Sequence, residues 1–99
     1  MTITRETNGS TLRIAVEGKL DTRTAPELAA EIEKGLDGAE YLLWDFSNLE
    51  YISSAGIRVM MVAANKLEDP DKMKVEKCNE MVRTALVLTG LGDLLLDAD

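Results

Sequence analysis

The chain has 99 residues, 45% of them apolar and 29% charged, which is one domain's worth with a core large enough to fold without disulfide or metal staples. Asp and Glu number 18 against 11 Lys and Arg, a formal charge of -7; such a surface disfavours nucleic acid and anionic lipid, whose phosphates repel it, and favours a partner with a basic face. Histidine is absent, which removes the commonest general base and zinc ligand together with Ser-His and Cys-His nucleophile pairs.

Thr2 to Thr7 reads as a weak strand, and Asn8-Gly9 after it is a tight-turn signal. Leu12, Ile14 and Val16 alternate with Arg13, Ala15 and Glu17, so a second strand completes a hairpin. Gly18 to Arg23 breaks the alternation. Thr24 then reads as the N-cap of a helix, with Pro26 in the first turn and Glu27 closing a capping box; Leu28, Ile32 and Leu36 continue one face until Gly35 and Gly38 end it. Tyr41 to Phe46 is nearly continuous apolar sequence, as in a central strand covered on both faces. Ser47 to Ser53 reads as a loop. A second helix begins near Ser54, with Ile57, Met60, Met61, Ala64 and Leu67 inward, and stops at Asp69-Pro70-Asp71. Met73 and Val75 mark a short strand. Asn79 caps a third helix that turns Val82, Ala85, Leu86 and Thr89 inward, Gly90 ends it, and Asp93 to Leu96 adds a final turn. The order β-β-α-β-α-β-α-α predicts an α/β domain over residues 1–99: a small mixed sheet, made of an N-terminal hairpin and parallel β-α-β crossovers, covered by helices. Trp44 and the five methionines are expected in the core, and Cys78 as a small buried filler.

The start, Met1 to Glu6, lacks the apolar stretch of a signal peptide, and no apolar run approaches the ~20 residues that span a bilayer. With its single cysteine the chain has no internal disulfide and fits a reducing cytoplasm.

Functional groups in such sheets gather beyond the carboxyl ends of parallel strands. Two segments qualify, Gly18 to Arg23 and Ser47 to Ser54, which puts Asp21 and Ser54 on one rim. Ser54 has two readings: the N-cap of the second helix, or a hydroxyl exposed at a helix N-terminus, where the dipole and unpaired N–H groups favour a phosphate. Asp21 is either a turn former before Thr24 or a rim carboxylate facing a partner. Asp45 is an acceptor for loop N–H groups or half of an acid/base or metal pair with Asp21; without histidine or a third ligand the pair points away from an enzyme, and neither cofactor nor metal is expected. Arg58, Val59, Val62 and Lys66 form the outer face of the second helix, its two valines either packed under another helix or part of an exposed docking patch.

Gly18-Lys19-Leu20-Asp21 with Thr24-Ala25, followed by Asp45 to Ile57 (DFSNLEYISSAGI), resembles the STAS domain, specifically the bacterial anti-sigma factor antagonists, over essentially the whole chain. The family's pattern before this helix is Asp-Ser-Ser/Thr-Gly with the first Ser phosphorylated. Aligned on Gly56, the phosphoacceptor falls on Ser54, the family's Asp on Ser53 and its second hydroxyl on Ala55. The resemblance implies a binding module that is not a catalyst: unphosphorylated, it binds an anti-sigma factor that is also a serine kinase using ATP and Mg²⁺, and so frees a sigma factor; phosphorylation releases it and a serine phosphatase resets it. The expected partner surface comprises Asp21, Ser53, Ala55, Gly56, Arg58, Val59 and Val62. The alternative function is a STAS scaffold or small-ligand sensor in a larger assembly, working without phosphorylation.

Overall fold

The computed structural model describes residues 1–96, so the last three positions of the expected domain lie outside the described residues. Strand β1 (Thr2–Asn8) turns into the antiparallel β2 (Thr11–Leu20), with Asn8 opposite Thr11 and Ile3 opposite Val16. The two turn residues are Gly9 and Ser10, one place later than the Asn8-Gly9 dipeptide suggests. Gly9 takes φ +64°, the left-handed value that the first centre of such a turn requires.

Then follow helix α1 (Ala25–Glu33), β3 (Tyr41–Asp45), β4 (Leu49–Ile52), α2 (Ser54–Asn65), a 3-10 turn at Pro70–Lys72, β5 (Met73–Lys77), α3 (Glu80–Leu88) and a last 3-10 turn at Gly92–Leu94. The sheet runs β1-β2-β3-β5, and β4 pairs separately with the far end of β2. β2–β3, β3–β5 and β2–β4 are all parallel. β2 is therefore forked: Thr11 to Ala15 face β3, and Gly18 to Leu20 face β4.

Two expectations change here. The strand does not end at Gly18 but continues to Leu20, because Gly18 adopts φ +100° and absorbs an irregularity at Gly18/Lys19. The expected loop Ser47 to Ser53 contains β4. Gly18 pairs with Leu49 and Lys19 with Tyr51, so Glu50 is skipped; Leu49 and Ile52 are buried while Glu50 and Tyr51 between them are exposed. That interruption erases the two-residue alternation by which a strand is recognised.

Leu12, Ile14 and Val16 of β2, Leu42 and Trp44 of β3, Phe46 just after it, and Met73 and Val75 of β5 form one buried face with Leu28 and Ile32 of α1, Met60 and Ala63 of α2, and Val82 and Leu86 of α3. Trp44 and Phe46 stack at a centroid distance of 5.6 Å. The alternate residues are only half-buried, so β3 is covered on one face and not on two as its composition suggests. On the open face, Arg13 bonds Asp45 at 2.6 Å and Glu76 at 2.9 Å, with Leu43 in register beside Arg13. Met60 and Met73 are core, whereas Met61 and Met81 are exposed, against the expectation for all five methionines. Cys78 is half-buried, and burial pushes its thiol up, as fits a filler and not a nucleophile.

Arg5 fixes the far end of α1. Its guanidinium donates to the carbonyls of Glu31 (2.9 Å) and Gly35 (2.8 Å), which satisfies carbonyls at a helix C-terminus and sets a cation at the negative end of the dipole.

Candidate functional site

The paired ends of β2 and β4 carry two turns on one rim. Leu20 faces Ile52, and one residue further the Ser53 N–H donates to the Leu20 carbonyl at 2.9 Å. Asp21 opens the turn into α1 and Ser54 opens α2, so the two segments expected to share a rim do so.

The capping roles differ from the sequence expectation. The N-cap of α2 is Ser53, not Ser54: Ser53 is extended (φ -101°, ψ 174°) and its Oγ accepts the Gly56 N–H at 3.4 Å. Ser54 is the first helical residue, and it is exposed. Its hydroxyl has no hydrogen bond among the described residues. The two readings offered for Ser54 therefore fall on two adjacent serines, one holding the helix and the other presenting a hydroxyl.

Thr24 occupies the position before α1 but caps nothing, so the expected box with Glu27 does not form. Its hydroxyl accepts the Asp21 N–H at 2.9 Å and donates to the Lys19 carbonyl at 2.7 Å. Helix entry is the work of Asp21, whose Oδ1 accepts the N–H of Arg23 (2.9 Å) and of Thr24 (3.1 Å) and whose carbonyl accepts the Ala25 N–H (2.8 Å). The Thr24 N–H chiefly, with Arg23 adding to it against some desolvation, holds the Asp21 carboxyl below its ordinary range. Asp21 is thus a turn former that also sits at the rim.

Gly56 is buried for lack of space. A Cβ there would lie 2.6 Å from Leu20 Cγ and 3.1 Å from Ile52 Cγ1. This close approach sets the roll of α2, whose buried residues are Gly56, Ile57, Val59, Met60 and Ala63. The buried face is turned by roughly a quarter of a circle from the one that the methionines suggest at ~100° per residue. Val59, expected on the outer face, is 8% exposed, whereas Met61, expected inside, is 42% exposed and Val62 45%. Val59 therefore leaves the candidate docking surface and Met61 joins it. Spacing alone could have found Met61: Ser54, Arg58, Met61 and Val62 follow i, i+4, i+7, i+8, and all four are exposed. Ala55 is partly buried against the core.

The rim's charge differs from that of the whole chain. Lys19, Arg23 and Arg58 are exposed there, and none forms an ion pair with a described residue, whereas Arg5, Arg13, Lys34 and Lys72 are each spent on the chain's own carboxylates. Asp45 lies on the open face and serves the turn after β3: its Oδ1 accepts the N–H and hydroxyl of Ser47 at 3.0 and 2.7 Å. Burial pushes its carboxyl up, but Ser47 and the charges of Arg13 and Lys77 outweigh that and hold it below the ordinary range. Asp21 and Asp45 form no pair, and the described residues hold no cluster of three or more potential metal ligands. An open groove of about 640 Å³ beside β4 is lined by Met1, Glu17 and Ser47 to Glu50 among others, but by neither Asp21 nor Ser53 to Ala55. No helix among the described residues is long and apolar enough to cross a membrane.

Three solved structures share this fold. SpoIIAA, described as an anti-sigma factor antagonist in its unphosphorylated form, superposes with a TM-score of 0.81 at 22% identity over 99% of this chain and 89% of its own. The phosphorylated form of SpoIIAA, a Bacillus cell fate determinant, gives 0.75 at 20% identity over 99% and 92%. An anti-sigma factor antagonist from Mycobacterium paratuberculosis gives 0.83 at 26% identity over 96% and 82%. In sequence, 68 residues are 32% identical to BtrV of Bordetella bronchiseptica, named as an anti-sigma factor antagonist; the match takes in 68% of this chain and 59% of BtrV, less than two thirds of that protein's length. The family model described as "Mlab, STAS domain" matches residues 3–97. With that match spanning almost its whole length, the chain belongs to the STAS-domain family.

Proposed function

We propose that this STAS domain is an anti-sigma factor antagonist, a binding module and not a catalyst, whose hold on its anti-sigma partner is switched by phosphorylation of Ser54. The observation that carries the reading is the division of labour at the start of α2. Ser53 supplies the cap, so the Ser54 hydroxyl is exposed, uncommitted and set where a helix N-terminus stabilises a phosphate. The names of BtrV and of the Mycobacterium paratuberculosis protein support antagonism, and the description of SpoIIAA in unphosphorylated and phosphorylated forms supports a phosphorylation switch on this fold.

In this reading the unmodified rim, with Asp21, Ser53, Ala55, Arg58, Met61 and Val62 around Ser54 and without the buried Gly56 and Val59, binds an anti-sigma factor that is also a serine kinase, and a sigma factor is set free. Phosphorylation adds a charge of about -1.5 to -2 at the centre of that surface, where the fold does not need to change for contact to be lost. A serine phosphatase restores the binding form. The alternative, a scaffold or small-ligand sensor working without phosphorylation, would use the groove beside β4, which Gly18 and Ser47 to Glu50 line and Asp21 and Ser54 do not.

The test is intact mass after incubation with the cognate kinase and ATP. One phosphate is expected on the wild-type chain and none on Ser54→Ala. Equal mass gain on both, or on neither, removes Ser54 as the switch and leaves a scaffold without phosphorylation.

A further inference from the structure

Arg58 stands one turn after Ser54 on the same exposed face of α2. Side chains four apart on a helix are neighbours, with Cβ atoms about 5–6 Å apart, and an anion N-terminal to a cation is the favourable order. Helix α2 contains no Asp or Glu that could occupy Arg58 from within, and Arg58 makes no ion pair with a described residue. Across the rim the facing turn carries Lys19, Asp21 and Arg23; its one carboxylate, Asp21, is already held by the N–H groups of Arg23 and Thr24.

We infer that Arg58 is the positioning residue for a phosphate on Ser54. It folds back along its own helix and takes two phosphate oxygens with its planar fork. This rests on the reading of Ser54 as phosphoacceptor and adds to it how the switch is read. Modification changes the rim twice: a dianion appears, and the guanidinium that the unmodified surface offers to a partner is withdrawn onto it. Ser54 and Arg58 are then one unit with two arrangements.

The test uses the full chain with phosphoserine installed at position 54 during translation, so that no kinase is needed. Phosphorus NMR then follows the second ionisation of the phosphate, ordinarily near a pKa of about 6. With Arg58 in place the midpoint is expected about half a unit or more below that of Arg58→Gln, with Arg58→Lys between them. The helix N-terminus is common to all three chains, so the difference isolates residue 58. Arg58 is exposed, and circular dichroism confirms that the variants keep their helices. Superimposable titrations of the three chains would overturn the inference. An absent mass gain with the kinase counts against the Ser54 switch, whereas an unshifted titration counts against Arg58, so the two failures are told apart.

Discussion

Ser53 and Ser54 are adjacent in the chain and separate in function: the hydroxyl of Ser53 accepts the Gly56 N–H, while that of Ser54 is exposed. Fold and switch can thus be perturbed one at a time. Ser53→Ala should cost about 0.5–2 kcal/mol, towards the lower end because the bond is long at 3.4 Å. Ser54→Ala should stay within about 0.5 kcal/mol of wild type, because the residue is exposed and holds no cap. Ser54→Asp adds a carboxylate in the first helical turn and should fold at least as well as wild type, by about 0.3–1 kcal/mol, yet bind the anti-sigma partner more weakly. Chemical denaturation of the three variants, with calorimetric titration of Ser54→Asp against the partner, checks each statement. A larger loss of stability in Ser54→Ala than in Ser53→Ala would reverse the assignment.

Gly56 and Leu20 set the distance between α2 and the rim. Gly56→Ala brings a Cβ to 2.6 Å from Leu20 Cγ, so it should destabilise by about 1–3 kcal/mol through overpacking. Leu20→Ala alone leaves a cavity and should cost about 2–5 kcal/mol. In the double variant the clash is gone, so the combined loss should be smaller than the two single losses added. A double-mutant cycle by denaturation measures that coupling; strict additivity would show that the two residues do not restrain each other.

The two valines of α2 now separate cleanly. Val59→Lys buries a charge without a partner and should cost several kcal/mol. Val62→Lys changes an exposed position, should stay within about 0.5 kcal/mol of wild type, and should act on partner affinity instead. Melting curves of both, followed by a binding titration of Val62→Lys, give the comparison. Equal destabilisation would mean that Val62 is covered as Val59 is.

These valines also show where the sequence was legible and where it was not. The alternation at Leu12, Ile14 and Val16 and the Asn79 cap each announce an element, because local periodicity and side-chain chemistry decide them, whereas the block from Asp45 to Ile57 points to the rim through its resemblance to a family. The Asn79 cap is realised in the Val82 N–H bonded to Asn79 Oδ1 at 2.8 Å. The roll of α2 was hidden because it depends on the absence of a Cβ at Gly56 facing Leu20, a contact 36 positions away. β4 was hidden because the skipped Glu50 breaks its alternation. The exchange of cap between Ser53 and Ser54 was hidden because both are good caps, and only the extended backbone at residue 53 chooses between them.

Asp45 makes the fold acid-sensitive. Its folded pKa is held below the ordinary aspartate value. A carboxyl depressed in this way contributes stability that is present above its unfolded pKa and disappears as pH falls through the folded one. Stability should therefore be steady through neutral pH and decline below about pH 4, with Asp21 contributing in the same direction. Asp45→Asn should be less stable at neutral pH and should show a shallower decline on acidification, since Arg13 keeps Glu76 but the Asp45 carboxylate no longer titrates. Denaturation midpoints between pH 3 and 7 provide the check, and parallel curves for the two chains would remove Asp45 from the acid response.

The fork in β2 divides the strand between two ladders of unequal length. Five residue pairs, Thr11 to Ala15, tie β2 to β3, whereas three pairs, Gly18 to Leu20, tie it to β4. Opening the outer prong breaks those three pairs, the Ser53–Leu20 and Gly18–Asn48 bonds beside them and the packing of Leu20, Leu49 and Ile52, while the inner ladder can stay paired. Amide hydrogens of Lys19, Leu20 and Tyr51 to Ser53 are then expected to exchange with solvent water faster than those of Leu12 to Ala15, by openings that leave the β2–β3 ladder paired. A partner or a phosphate acting at this rim then works against the shorter of the two ladders, and the longer one is left to hold the rest of the sheet.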